Sequence, residues 1–225
     1  MATFSHGNGS GTNRSAEARR LMVESQIRKR GVVDERVLLA MSTVQRHEFV
    51  PASWINKAYT DEPLPIGHGQ TISQPYIVAA MVASLALSGS EKVLEIGTGC
   101  GYQAAVVSLL AREVHTIEIL PELAQSAAER LSRLAYANVH VHCSDGTLGW
   151  PESSPYDAII VAAAAPAVPE PLLQQLAEGG RLVAPVGEED KQELQSVTMR
   201  EGKLIVRRDG SCRFVPLKGR YGWRK

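Results

Sequence analysis

Neither sign of charge prevails in this chain, because lysine plus arginine and aspartate plus glutamate number 24 each. That balance leaves no electrostatic footprint for nucleic acid or anionic lipid. No run is apolar and long enough to span a bilayer, and the start has no apolar signal-peptide core. Cysteine is scarce: Cys100, Cys143 and Cys212 are widely spaced and odd in number, which fits neither a disulfide framework nor a zinc site. The cysteine usage points to a reducing cytoplasm, and the other absences to no metal, nucleic-acid or membrane partner; a monomer is expected, although nothing in these absences bears on oligomeric state. The 225 residues are enough for one medium domain with a real core, or for such a domain with a small appendage.

The stretch Lys92 to Tyr102, Lys-Val-Leu-Glu-Ile-Gly-Thr-Gly-Cys-Gly-Tyr, organises the rest. Val93, Leu94 and Ile96 make the short apolar run of a buried central strand. Gly97, Gly99 and Gly101 then let the backbone turn sharply and let a ligand lie against it. Gln103 to Ala111 reads as a helix, so the whole is the first half of a βαβ nucleotide site. The glycines recur at every second position behind an acid, Glu95, which is not the dinucleotide pattern G-x-G-x-x-G. The arrangement resembles the E/D-x-G-x-G-x-G motif of S-adenosylmethionine-dependent methyltransferases. The alternative is a glycine-rich turn that binds nothing, which Glu95 argues against because an acid ending a buried strand is costly without a partner.

In chain order, Met1 to Asn13 has hardly an apolar residue and is expected to be disordered, giving a tail over residues 1–14. A helix is expected from Ser15 with a stop at Gly31, and a second one capped by Asp34 and ending near Arg46 to Pro51. Tyr59 to Pro75 reads as a loop rich in proline and glycine that leads into an apolar helix, Tyr76 to Leu87. Ser73 ahead of Pro75 fits a helix N-cap, in which case it is structural and His68 is a loop histidine. No G-x-S-x-G elbow surrounds Ser73 to make it a hydrolase nucleophile.

Strand and helix alternate downstream: strand Val114 to Glu118, helix Pro121 through Leu134, strand Val139 to Cys143, strand Pro155 to Val161, helix Pro171 to Ala177, then a Gly179-Gly180 turn leading to strand Arg181 to Val186. Glu118 lies about twenty residues past the glycines, where a strand-tip acid can accept two ribose hydroxyls, or it is an exposed loop glutamate. Asp145-Gly146 is either a plain turn or a neighbour of the same crevice. Leu194 to Arg200, Leu204 to Arg207 and Cys212 to Leu217 read as antiparallel strands with turns at Glu201-Gly202 and Asp209-Gly210. The fold class expected is α/β: a Rossmann-like three-layer αβα sandwich, mostly parallel, with antiparallel C-terminal strands and a small N-terminal helical layer. Residues 15–225 form a single domain in this reading: helices and loop over 15–75, cofactor core over 76–187, antiparallel strands over 188–225.

Three runs carry a closer resemblance: Gly69-Gln70-Thr71-Ile72-Ser73-Gln74-Pro75-Tyr76, Val93 to Tyr102, and Tyr156 to Pro166. Together with Gly179-Gly180-Arg181-Leu182-Val183 and Phe214-Val215-Pro216-Leu217, they strongly resemble the protein-L-isoaspartate O-methyltransferases from about Leu21 to Trp223. The Gln-Thr-Ile-Ser-Gln-Pro loop is the most specific of them, since many methyltransferases share the glycine motif. The resemblance implies transfer of a methyl group from S-adenosylmethionine, leaving S-adenosylhomocysteine, to the free α-carboxylate of an isoaspartyl residue in a damaged protein. The ester then closes to a succinimide, whose hydrolysis returns some normal aspartate. Carried over by position, Ser73 is the active-site serine. Thr71, Ile72, Glu95, Gly97, Thr98, Gly99, Gly101, Glu118, Asp145 and Gly146 are cofactor contacts. Ile66 and Val215 flank the site and are expected to meet the substrate, whose backbone would pair with an exposed strand edge. Rival readings are a methyltransferase for RNA or a small molecule, and a non-catalytic binding module.

Overall fold

The computed structural model describes residues 9–223. Helix α1 (Gly9–Leu21) continues through a π turn (Met22–Ile27) and a 3-10 turn (Arg28–Arg30), and stops at Gly31 with φ 96°. The expected tail is therefore partly helical: Gly9 to Asn13 belong to α1, while Met1 to Asn8 lie outside the described residues. Once the anchored turns near Met22 and Ile27 are formed, each added residue costs less than nucleation did, so the helix extends backward over polar sequence. Asp34 caps α2 (Glu35–Thr43) by accepting from the Arg36 amide at 2.9 Å. A 3-10 turn, Arg46–Phe49, follows.

Tyr59 to Pro75 is not a plain loop. It holds a hairpin of β1 (Leu64–Gly67) and β2 (Gln70–Ile72), joined by His68-Gly69, both at positive φ. Strands three and four residues long carry too little alternation to be read from sequence. The main chain then runs through α3 (Pro75–Ser84), β3 (Lys92–Ile96), α4 (Tyr102–Ser108), β4 (Glu113–Glu118), α5 (Pro121–Arg133), β5 (Val139–Cys143), β6 (Tyr156–Val161), α6 (Glu170–Gln174), β7 (Leu176–Gly187), β8 (Gln192–Arg200) and β9 (Lys203–Cys212).

The seven-stranded sheet has the order β5-β4-β3-β6-β7-β8-β9, parallel as far as β7 and antiparallel beyond it. Successive residues of a strand point to opposite faces, and the core divides accordingly. Val93, Ala158, Ile160 and Val183 pack with residues of α2, α3 and α4, while Leu94, Ile96, Ile159, Val161 and Leu182 pack with Leu172 of α6 and with Leu217. Two turn expectations fail at the C-terminal end. Gly179-Gly180 sits inside β7, at a register irregularity against β6. Asp209-Gly210 sits inside β9, opposite a similar irregularity in β8. A Gly-containing pair serves a bulge as well as a turn, so only the partner strand decides between them. Glu201-Gly202 does turn, with φ 52° and 67°. The third expected strand, Cys212 to Leu217, is instead a segment bridged to the loop after β6, Ala164 to Pro216.

Candidate active site

Sheet order places the site. The chain moves from β3 outward to β4 and β5, then returns to β6 on the other side of β3, so a crevice opens beyond the carboxyl ends of β3 and β6. Open α/β sheets bind ligands at such a switch point. The crevice here is lined by Gly97 and Gly99, Glu118 to Leu120, Gly146, Ala162, Ala163, Gln70, Thr71 and the segment Val215 to Lys218. A smaller chamber under the hairpin is lined by Ile72, Ser73, Gly97, Thr98 and Gly99, and an outer groove of about 490 Å³ is lined by Ser73, Gln74, Ile77, Arg213, Phe214 and Val215. Thr71 and Ala162 border all three spaces, and Ser73 borders both the chamber and the groove.

Local physics explains the shape of the turn. Gly99 has φ 54°, its amide donates to Glu118 Oε2 at 2.8 Å, and a Cβ there would come within 3.2 Å of Ile66 Cδ1 in the hairpin. Gly97, at φ 92°, lies against Ala162. Both conformations are ones that side chains rarely adopt. Gly101, at φ 88°, is the N-cap of α4. Glu118 is buried at the tip of β4, and its other oxygen accepts from the Leu120 amide at 3.1 Å. A carboxylate has about four lone-pair sites, so each oxygen keeps capacity for a further donor from the crevice.

Four expectations change. Ser73 is not a helix cap: the N-cap of α3 is Gln74, and the free Tyr76 amide is met by Asp61 Oδ1 at 3.0 Å. Pro75 at the first helical position puts the cap at residue 74, one place too late for Ser73. Glu95 does not face the crevice. It shares the face of Val93, one residue before the strand ends at Ile96, and is fully buried with Gln103 Nε2 donating to Oε1 at 3.0 Å and the Thr116 hydroxyl donating to Oε2. Burial pushes its carboxyl up to about 7, against the two hydrogen bonds. Asp145 is likewise turned from the crevice: Oδ1 accepts from the Thr147 amide and hydroxyl at 2.9 and 2.7 Å, and Oδ2 from the Arg220 amide at 2.8 Å. Gly146 remains at the wall, where a Cβ would come within 2.7 Å of Ile96 Cγ2. Ile66 packs on Gly99 and does not line the outer groove.

Thr71, Ile72, Ser73, Gly97, Thr98, Gly99, Glu118, Gly146 and Val215 do come together, although the Thr98 hydroxyl faces inward to Thr116 at 2.7 Å. Sequence reasoning missed Gln70, Ala163, Arg213 and the wall formed by Pro216 to Lys218. The last of these is held to the β6 loop by Ala164 N to Val215 O at 2.8 Å and Leu217 N to Ala164 O at 2.7 Å. That tie engages the Val215 carbonyl and the Leu217 amide. Among the described residues, no group of three or more His, Cys, Asp or Glu could hold a metal ion.

Comparison with known proteins places this geometry in context. Residues 17–222 match the family model described as protein-L-isoaspartate(D-aspartate) O-methyltransferase. A protein-L-isoaspartate O-methyltransferase of Geobacter metallireducens is 55% identical over 207 residues, covering 92% of this chain and 96% of its own. One from Methanoculleus marisnigri is 52% identical over 202 residues, covering 90% and 92%. Among solved structures, a protein-L-isoaspartate O-methyltransferase superposes with a TM-score of 0.83 at 31% identity, over 91% of this chain and 67% of the other. A Plasmodium falciparum protein described in the same terms, in complex with S-adenosyl-L-homocysteine, gives 0.76 at 26% identity over 89% and 98%.

Proposed function

This chain belongs to the protein-L-isoaspartate(D-aspartate) O-methyltransferase family, and from that premise we infer that it methylates the free α-carboxylate of isoaspartyl residues in damaged proteins, with S-adenosylmethionine as donor. The crevice suits that cofactor. Its glycine turn leaves room for a ligand at the backbone, its walls at Ile96, Ile117, Ile119 and Leu120 are apolar, and the Glu118 carboxylate can accept the two hydroxyls of a ribose. The cofactor, when bound, supplies a methyl group on a positively charged sulfur.

The observation that carries the reading is the position of Ser73, at the joint between the glycine-turn chamber and the wide outer groove. A substrate carboxylate has a reference pKa of about 4 and arrives ionised, so no residue need remove a proton. What remains for the protein is to align one oxygen and exclude water from two charges that cancel as the reaction proceeds. In our proposal the Ser73 hydroxyl donates to the other carboxylate oxygen and orients it. Thr71, Ile72, Gly97, Gly99, Glu118 and Gly146 hold the cofactor, Val215 meets the substrate, and residues 15–225 act as one unit. We further propose a cytoplasmic monomer without nucleic-acid or membrane partners; among the described residues, no helix is long and apolar enough to cross a membrane.

Incubation with labelled S-adenosylmethionine and matched isoaspartyl and aspartyl peptides tests the activity, with label expected only in the former. Ser73→Ala, relieved of any capping role, should keep its melting temperature and cofactor affinity and lose roughly tenfold or more in turnover. Full turnover in that variant would remove Ser73 from the site.

A further inference from the structure

Arg46 is wholly buried, yet it makes no ion pair with an acid among the described residues. A cation in that position is expensive unless its donors are well used. Its Nε donates to the carbonyl of Ala58 at 2.7 Å, and its Nη2 donates to the carbonyl of Ser73 at 2.8 Å. Those two carbonyls stand at opposite ends of the segment that carries the β1–β2 hairpin, one at its entry and one at its exit. The guanidinium carbon also lies 4.8 Å from the centroid of the Tyr102 ring, the first residue of the helix that follows the glycine turn. One side chain therefore touches both ends of the hairpin segment and the element that begins the cofactor crevice. Tyr102 is itself fixed in the core by Phe49, ring centroids 5.6 Å apart, so the aromatic plane is a firm support.

We propose that Arg46 is a positioning residue for methyl transfer, clasping the hairpin segment at both ends so that Ser73 keeps its place beside the glycine turn. The idea rests on the role given to Ser73 above. A lysine cannot reproduce the planar fork whose two separate nitrogens reach two carbonyls at once, and a glutamine is shorter, uncharged and carries its donors on a single nitrogen. Neither variant alters a side chain that itself lines the cofactor crevice.

The test measures kcat and KM for an isoaspartyl peptide, and S-adenosylhomocysteine affinity by calorimetry, for R46K and R46Q in wild-type and Ser73→Ala backgrounds. Rates are normalised to the fraction that binds cofactor. In the wild-type background kcat should fall about tenfold or more, the effect of a misplacement approaching an ångström, with cofactor affinity unchanged within about twofold. In the Ser73→Ala background the same substitutions should cost less than about twofold, because coupled groups are not additive. Equal losses in both backgrounds would overturn the proposal, as would full turnover in R46K, or loss of cofactor binding in both variants, which would make Arg46 a core residue only. Full turnover in Ser73→Ala alone refutes the reading of Ser73 and this one with it.

Discussion

Glu95→Gln offers the sharpest test of the buried site. The wild-type carboxyl is surrounded by protein, with its ordinary value of 4.5 pushed up to about 7 by burial, and Glu118 adds repulsion while Thr116 and Gln103 partly offset both. Below pH 4.5 the folded and unfolded chains both carry this proton, and the group costs nothing. As pH rises from 4.5 toward 7 the unfolded chain gives up its proton and the folded chain keeps it, so stability falls by about 1.4 kcal/mol per pH unit. Above 7 the folded carboxyl ionises too, and the loss levels off. The difference, 7 − 4.5 = 2.5, corresponds to about 3 kcal/mol. A glutamine is nearly isosteric, can accept from Gln103 and donate to the Thr116 hydroxyl, and has no proton to lose. Its stability relative to wild type should therefore be near zero at pH 4 and rise to about 3 kcal/mol at pH 8, or roughly 6 to 12 °C in Tm for a chain of this size. Urea titrations of cofactor-free protein at several pH values measure that difference directly, since every other group titrates in both proteins. Parallel stability curves across pH 4.5 to 8 would show that Glu95 ionises normally in the fold, and the reasoning from burial would be refuted.

Glu118→Ala removes the acceptor proposed for two ribose hydroxyls and the partner of the Gly99 amide; cofactor affinity should fall by roughly tens to hundreds of fold, equivalent to about 2 to 4 kcal/mol. Calorimetry giving unchanged affinity in a folded protein would reject that contact. Gly146→Ala should press on Ile96 Cγ2, 2.7 Å from the new Cβ, and overpacking of this kind costs about 1 to 3 kcal/mol. Denaturation should show that loss together with weaker cofactor binding, whereas a variant of wild-type stability would mean that Ile96 can yield.

The central βα alternation was legible in the sequence because its cause is local. Val93, Leu94 and Ile96 followed by Gly97, Gly99 and Gly101 can hardly be anything but a buried strand entering a tight turn, and the strands ending at Glu118, Cys143 and Val161 repeat the pattern. The likeness of Gln70 to Pro75 to one family depends on residue identity alone, and the family model and the relatives agree with it. Side-chain direction was different. Glu95 stands in the motif, yet strand alternation turns it under α4, while Glu118, at the tip of its strand, faces the crevice. Asp145 was displaced by the Arg220 amide, 75 residues away in the chain, and the capping role read for Ser73 fell to Asp61. Arg46 showed no periodicity and matched no motif. Its contacts to Ala58, Ser73 and Tyr102 are 12, 27 and 56 positions away in sequence, and only the packed tertiary structure brings such distant groups within hydrogen-bonding reach.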